Sequence, residues 1–312
     1  MTIADLVGAE PFSAQLRSHA QSTGSAVCVG IDPRPTAHPL TSPATHNDDP
    51  VAVARSVASY AKAVLDATHD VVACCKPQAA FFEALGLPGL EALADVMAHA
   101  RSLGLPLILD AKRGDIGSTA EAYAEAYLTD GAFSADALTV NPYLGLDTLE
   151  PFIAAAASNH RGLFVLVRTS NPGSAGLQEL ELAQGPLLYQ NLAERLTERS
   201  VTLGTDEHGY SLLGAVGGAT APEQLADLRR LLPRSLLLVP GYDAQGGSAD
   251  DVTHAFDADG WGAVVNSSRG IMYSPAAKEA DTLGEIAQAA RVAAIAARED
   301  LQAALGRRLG AS

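Results

Sequence analysis

The chain has 312 residues, 47% of them hydrophobic, and a net charge of −15; it can fill one large α/β barrel or two medium domains, and its acidity argues against general nucleic-acid binding. No uninterrupted apolar run approaches the ~20 residues of a membrane span, and the amino terminus MTIADLVGAEPF carries an acid and no basic region, unlike a secretory signal. Cys28, Cys74 and Cys75 lie unevenly spaced in apolar runs, as buried thiols of a reducing cytoplasm and not as a disulfide framework or a zinc site.

Residues 1 to about 25 read as a helical lead-in. A buried strand at 26–31 ends at Asp32, where Pro33 and Pro35 keep a helix from starting at once. A Pro/Thr/His-rich loop covers 34–50, followed by an alanine-rich helix over about 51–68. The second strand, 71–75, ends at Lys76-Pro77, and a helix runs over about 89–103. The third strand, 107–109, leads into Asp110, Lys112 and Asp115. Ser118 to Glu121 then reads as a capping box before a helix whose Tyr123 and Tyr127 share a face. The fourth strand, 137–140, ends at Asn141-Pro142, and the fifth, 163–167, runs into RTSNPG at 168–173. A helical insert over about 187–199 precedes the sixth strand, 212–216. Thr220 to Glu223 repeats the capping pattern, with Pro222 in the first turn. The seventh strand, 236–239, is followed by PGYDAQGG, and the eighth, 263–265, by NSSRG; beyond Ala276 the tail is amphipathic helix.

Eight short apolar strands, each followed by helix, predict a (β/α)8 TIM barrel of class α/β, one domain over 1–312 with its barrel core at about 26–275. A doubly wound sheet is the competing architecture, but no G-x-G-x-x-G follows the first strand. In a barrel the carboxyl ends of the strands build the site. Asp32, Lys76, Asp110 and Lys112 come from the ends of strands one to three, which are neighbours. Residues two apart on a strand point the same way, so Asp110 and Lys112 project together. Clustered ionised side chains add little stability and mark a site of chemistry. Arg269 follows strand eight, and the glycine-rich loop around Gln245 offers free backbone N–H groups; loops seven and eight are the usual phosphate seat. In so acidic a chain, an anionic substrate needs such a local concentration of positive charge. The bland alternatives are a structural Asp110–Lys112 ion pair, a loop carboxylate at Asp115, a surface ion pair at Arg269 and an ordinary turn at 240–247.

The string DAKRGDIGST at 110–119, directly after a buried strand, resembles the signature of the orotidine 5'-phosphate decarboxylase family, and the loops at 33–50 and after strand five fit that family's longer bacterial branch. The resemblance implies decarboxylation of orotidine 5'-monophosphate to uridine 5'-monophosphate, with neither metal nor organic cofactor. It implies that Asp32 and Lys76 bind ribose hydroxyls, and that Lys112 protonates C6 of the pyrimidine as CO2 leaves, beside Asp110. Asp115, Ile116 and Thr119 would reach the active site of a partner subunit, which makes the protein a homodimer. Ser170 would contact the pyrimidine, Pro240 border it, and Gln245 and Arg269 grip the phosphate.

Three other functions stay open at this point. One is 3-hexulose-6-phosphate synthase, a metal-dependent aldolase with an acidic metal ligand after strand two, where this chain has Lys76. Another is a Schiff-base aldolase with Lys112 as nucleophile. The third is a sugar-phosphate-binding barrel without catalysis.

Overall fold

A computed structural model describes residues 10–183, 185–219, 222–242 and 247–310. Eight parallel strands form one sheet: β1 Val27–Ile31, β2 Cys74–Pro77, β3 Ile108–Arg113, β4 Ala137–Val140, β5 Gly162–Arg168, β6 Leu213–Gly217, β7 Leu237–Pro240 and β8 Ala263–Ser267. Their order, β2-β1-β8-β7-β6-β5-β4-β3, is that of a barrel opened between β2 and β3. That seam is closed by the isolated bridges Cys75↔Leu107 and Gln78↔Asp110 and by the Cys75 N–H, which donates to Pro106 O at 2.9 Å. Helices follow the strands, among them Pro50–Thr68, Gly86–Ser102, Gly117–Leu128, Glu150–Ser158, Leu188–Leu203 and Leu283–Gly310. The (β/α)8 barrel read from the sequence is the fold. Among the described residues no helix is long and apolar enough to cross a membrane.

Several boundaries differ from the sequence reading, each for a local reason. β2 starts at Cys74, because the amides of Val71 and Val72 still donate to Thr68 O at the end of the preceding helix. β3 extends past its apolar run to Arg113 and so includes Asp110 and Lys112. The capping box at Ser118 does not form. The helix starts at Gly117 with Ile116 as its cap and no side-chain cap bond, and the Thr119 and Ala120 amides donate to Ile116 O; Ser118 is already inside the first turn. Tyr123 and Tyr127 do stack on one face, 6.5 Å apart and 13° from parallel. The second capping box begins at Thr220, outside the described residues, but its helix does start at Pro222. The Pro-rich loop is three successive 3-10 turns, Pro35–Ala37, Pro39–Thr41 and Pro43–His46, each with proline in its first turn, where the fixed φ of proline suits helical geometry.

The parity of the strands explains where core ends and site begins. The inward-facing residues near the amino ends of β1, β2, β3, β5 and β8 are Cys28, Cys74, Ile108, Phe164 and Val264, all buried in one apolar cluster. Two residues further along β2 and β3 the same inward rows hold Lys76 and Asp110, so the barrel interior changes from apolar to charged within one layer. The amino mouth is plugged by the lead-in helix Phe12–Thr23, which adds Phe12, Leu16 and Ala20 to the inner cluster. The Phe12 ring meets Phe164 edge-on at 6.1 Å, and a Cβ at Gly162 would lie 2.4 Å from that ring.

Truncating this plug tests the division between core and site. Phe12→Ala should cost ~3–5 kcal/mol of stability, read from urea denaturation, while the folded fraction keeps its kcat/KM. A matching loss of kcat/KM would show that the plug also shapes the opposite mouth.

Candidate active site

Asp110 is the centre of the charged layer. Its Oδ1 accepts from Lys112 Nζ at 2.5 Å and from Thr139 Oγ1 at 3.0 Å, and its Oδ2 accepts from Lys76 Nζ at 2.8 Å and Gln78 Nε2 at 3.1 Å. Four donors fill the acceptor capacity of one carboxylate. Burial opposes ionisation of Asp110, but the attraction of Lys76 and Lys112 outweighs it and holds the carboxyl well below the usual range. Burial likewise pulls Lys76 down, and the charges of Asp110 and Asp32 more than reverse it, so its ammonium stays above the ordinary lysine range.

Lys112 reaches Asp110 in a way that strand parity does not foresee. Its backbone is left-handed, with φ 47°, and the β3–β4 register shifts between Leu109 and Arg113. Its N–H donates to Thr139 Oγ1 at 2.9 Å, so one hydroxyl holds both the backbone of Lys112 and the carboxylate of Asp110. A non-glycine residue in this region costs on the order of 1–3 kcal/mol and persists where surrounding contacts over-determine it.

These groups line a cavity of about 890 Å³ at the carboxyl end of the barrel, together with Asp32, Ser170, Pro240 and Arg269. The structure thus gathers seven of the residues singled out from sequence. Asp115, Ile116 and Thr119 are not in that wall. Asp115 accepts from the Ile116 N–H at 2.8 Å, and Ile116 is 63% exposed. Gln245 lies outside the described residues. In the same wall, the Oδ1 atoms of Asp32 and Asn266 and the Oγ of Ser268 are buried with no hydrogen-bond partner among the described residues. Unsatisfied buried polar atoms are costly, and these three belong to residues that line the cavity. Gly30 makes the arrangement possible, since a Cβ there would lie 2.6 Å from Ser268 Cβ and 2.9 Å from Asn266 Oδ1.

Sequence reasoning missed Gln78, Thr139 and Asn266. Gln78 continues the inward row of Lys76, and Thr139 is the single polar residue of an otherwise apolar strand. Applying strand parity to the neighbours of Asp110 finds both.

A family model of the orotidine 5'-phosphate decarboxylase / HUMPS family matches residues 25–282. A relative from Rhodopirellula baltica named orotidine 5'-phosphate decarboxylase is 49% identical over 271 residues, 84% of this chain and 88% of its own length. One of the same name from Deinococcus radiodurans is 43% identical over 95% of this chain and 98% of its own. Among solved structures, Leishmania donovani OMP decarboxylase superposes with a TM-score of 0.73 at 33% identity, covering 95% of this chain and 98% of that one.

The charged layer should be tightly coupled. Lys76→Met and Asp110→Asn should each cost ~3–5 kcal/mol by stranding a buried charge, and the double variant should cost clearly less than both together. Because the Asp110 carboxyl is depressed, its contribution is present above ~pH 4 and fades as pH falls through the folded value. Urea denaturation at neutral and acid pH checks both; additive costs would mean the two charges do not depend on each other.

Proposed function

The chain belongs to the orotidine 5'-phosphate decarboxylase / HUMPS family, and from that premise we propose how its cavity removes CO2 from orotidine 5'-monophosphate to leave uridine 5'-monophosphate in pyrimidine biosynthesis. The observation that carries the reading is the Lys112 ammonium, held 2.5 Å from a carboxylate that Lys76 also grips. Decarboxylation breaks the bond from C6 to the carboxylate and leaves its electron pair on a vinylic carbon with no adjacent sink. A cation must therefore already stand where that charge develops. Lys112 supplies the field, then transfers its proton from Nζ to C6 as CO2 departs; with its side chain 44% exposed, it can regain a proton from water. Asp110 holds the ammonium aimed, and because its four bonds are formed in advance, no reorganisation accompanies the reaction. Asp110 also stands close to the substrate carboxylate, a repulsion that adds to this preorganisation.

The remaining cavity residues take roles that fit their surroundings. Asp32, with its unsatisfied Oδ1, accepts a ribose hydroxyl, and Lys76 donates to another. Ser170 and Pro240 flank the pyrimidine, and Arg269, opening the helix Arg269–Met272, takes the phosphate with Gln245. Phosphate contacts far from C6 supply binding energy that can drive closure around the charged layer. Lys76 also favours decarboxylase over the metal-dependent aldolase, since a protonated lysine at the end of β2 cannot ligate a cation.

The exposed Ile116 and Thr119 and the half-buried Asp115, outside their own cavity wall, support a homodimer in which they complete the partner's site. In this reading the enzyme is cytoplasmic.

In EDTA-treated protein, loss of orotidine 5'-monophosphate absorbance should be rapid for the natural chain. For Lys112→Ala with unchanged circular dichroism it should be slower by roughly 10⁴-fold or more; substantial residual turnover would remove Lys112 as the proton donor. Mixing inactive Lys112→Ala and Asp115→Ala subunits should restore activity, because each mixed dimer contains one intact site. Isolated mixed dimers without activity would refute the shared site.

A further inference from the structure

Behind the wall of the cavity, at the end of β5, lies a buried guanidinium that the mechanism above does not use. Arg168 is 8% exposed and does not line the cavity, whereas its neighbours Val167, Thr169 and Ser170 do. Nη1 donates to Thr169 O at 2.6 Å, to Ser174 Oγ and to Gln178 Oε1 at 3.2 Å, and Nη2 donates to Glu179 Oε1 at 2.5 Å. Every one of these acceptors belongs to the segment that leaves β5, within eleven residues of the arginine. Further bonds tie the same segment to itself and to the next barrel unit. The Thr169 N–H donates to Gln178 Oε1 at 2.9 Å, Gln178 Nε2 donates to Thr169 Oγ1 at 2.8 Å, and Gln224 Nε2 donates to Glu179 Oε1 at 3.0 Å.

A surface loop needs no buried cation to hold it. Burying a guanidinium is expensive unless its charge and donors are matched; here Nη1 and Nη2 take all their acceptors from this loop, while Nε is buried with no partner among the described residues. The loop carries Ser170, and a second constraint acts on the same residue from the far side. The Gly218 N–H donates to Arg168 O at 2.9 Å, and a Cβ on Gly218 would lie 2.8 Å from Ser170 N and 2.9 Å from Ser170 Cβ. Ser170 therefore sits between a clamped loop and a glycine whose missing side chain leaves it room.

We propose that Arg168 is a positioning residue for pyrimidine recognition, fixing Ser170 through the Ser174–Gln178–Glu179 clamp without touching substrate. The proposal rests on the reading of Ser170 as the contact to the base. A part that fixes only the base contact leaves the sugar and phosphate contacts of Asp32, Lys76 and Arg269 unchanged, which separates it from a general structural role.

The test compares Arg168→Lys, Ser170→Ala and the double variant in the full chain, by calorimetric titration of uridine 5'-monophosphate and of ribose 5-phosphate, and by kcat/KM for orotidine 5'-monophosphate. Lysine keeps the charge but not the planar fork. Arg168→Lys is expected to lower uridine 5'-monophosphate affinity and to cut kcat/KM by roughly 10²-fold, with ribose 5-phosphate affinity unchanged. In the Ser170→Ala background the same substitution should change either quantity by no more than about 2-fold, since the two act as one unit. Should Arg168→Lys fail to fold, Glu179→Gln, which leaves the buried cation in place, should give the same pattern at smaller size. Equal weakening of both ligands, or full additivity with Ser170→Ala, overturns the proposal. The ligand contrast needs no turnover, so a natural chain that bound uridine 5'-monophosphate yet left orotidine 5'-monophosphate intact would sink the decarboxylase reading and still decide this one.

Discussion

One carboxylate saturated by four donors is the constraint on which the carboxyl mouth of this barrel depends. Asp110 joins β2 to β3 through Lys76 and Gln78, β3 to β4 through Thr139, and its own strand to Lys112. It does so at the one seam of the barrel where the backbone ladder is reduced to two isolated bridges, one of them Gln78↔Asp110. The side chains thus supply at the seam part of what strand pairing supplies elsewhere. A carboxylate with all its acceptor sites filled cannot rotate toward a new partner, so both ammonium groups are fixed by one object. Fixed dipoles and charges are what an electrostatic mechanism requires, and the energy spent on desolvation is recovered as geometry and not as stability.

The local backbone follows from the same need. Continuing β3 as a regular strand past Asp110 would send Lys112 along the inward row at ordinary strand spacing. The left-handed turn at Lys112 and the register shift against β4 instead bring its Nζ to Asp110. Thr139 fixes the turn from below by accepting the Lys112 N–H while donating to Asp110. Strain at one residue is tolerable because an adjoining strand supports it twice. On the other side of the mouth Gly30 does the reverse, giving up a side chain so that Asn266 and Ser268 can stand close to β1.

Much of this was legible in the sequence, for reasons that can be stated. A parallel barrel buries both faces of its strands, so each strand appears as an apolar run and its carboxyl end as the first polar residue. That rule located Asp32, Lys76, Asp110 and Asn141 without reference to any fold, and the DAKRGDIGST string supplied the family. It failed where chain geometry departs from repeat. The start of β2 was misplaced because Val71 and Val72 are as apolar as a strand while their amides still serve the helix before them. The cap at Ser118 was misplaced because the Ser-x-x-Glu spacing says nothing about a helix that begins one residue earlier. Gln78 and Thr139 were missed because a neutral side chain beside a strand end draws attention only once its partner on the neighbouring strand is known. Arg168 read as the first residue of the loop after the fifth strand, and nothing in RTSNPG announces that its guanidinium turns back onto that loop.

The charge of the chain gains meaning when set against that of the cavity. The protein as a whole carries −15, a field that repels an anionic substrate at long range. Among the described residues, the cavity wall reverses the sign, with Lys76, Lys112, Arg195 and Arg269 facing Asp32 and Asp110. Salt screens the outer charges beyond ~8 Å at physiological strength, while groups set in low-dielectric walls keep their reach. The two carboxylates in the wall are not a defect of that arrangement. Asp110 is neutralised by two ammonium groups, so its charge is felt only at close range. Asp32 lines the same wall, its Oδ1 buried without a hydrogen-bond partner among the described residues and its charge helping to keep Lys76 protonated. An anion entering the cavity meets the four cations of the wall together with the carboxylates of Asp32 and Asp110.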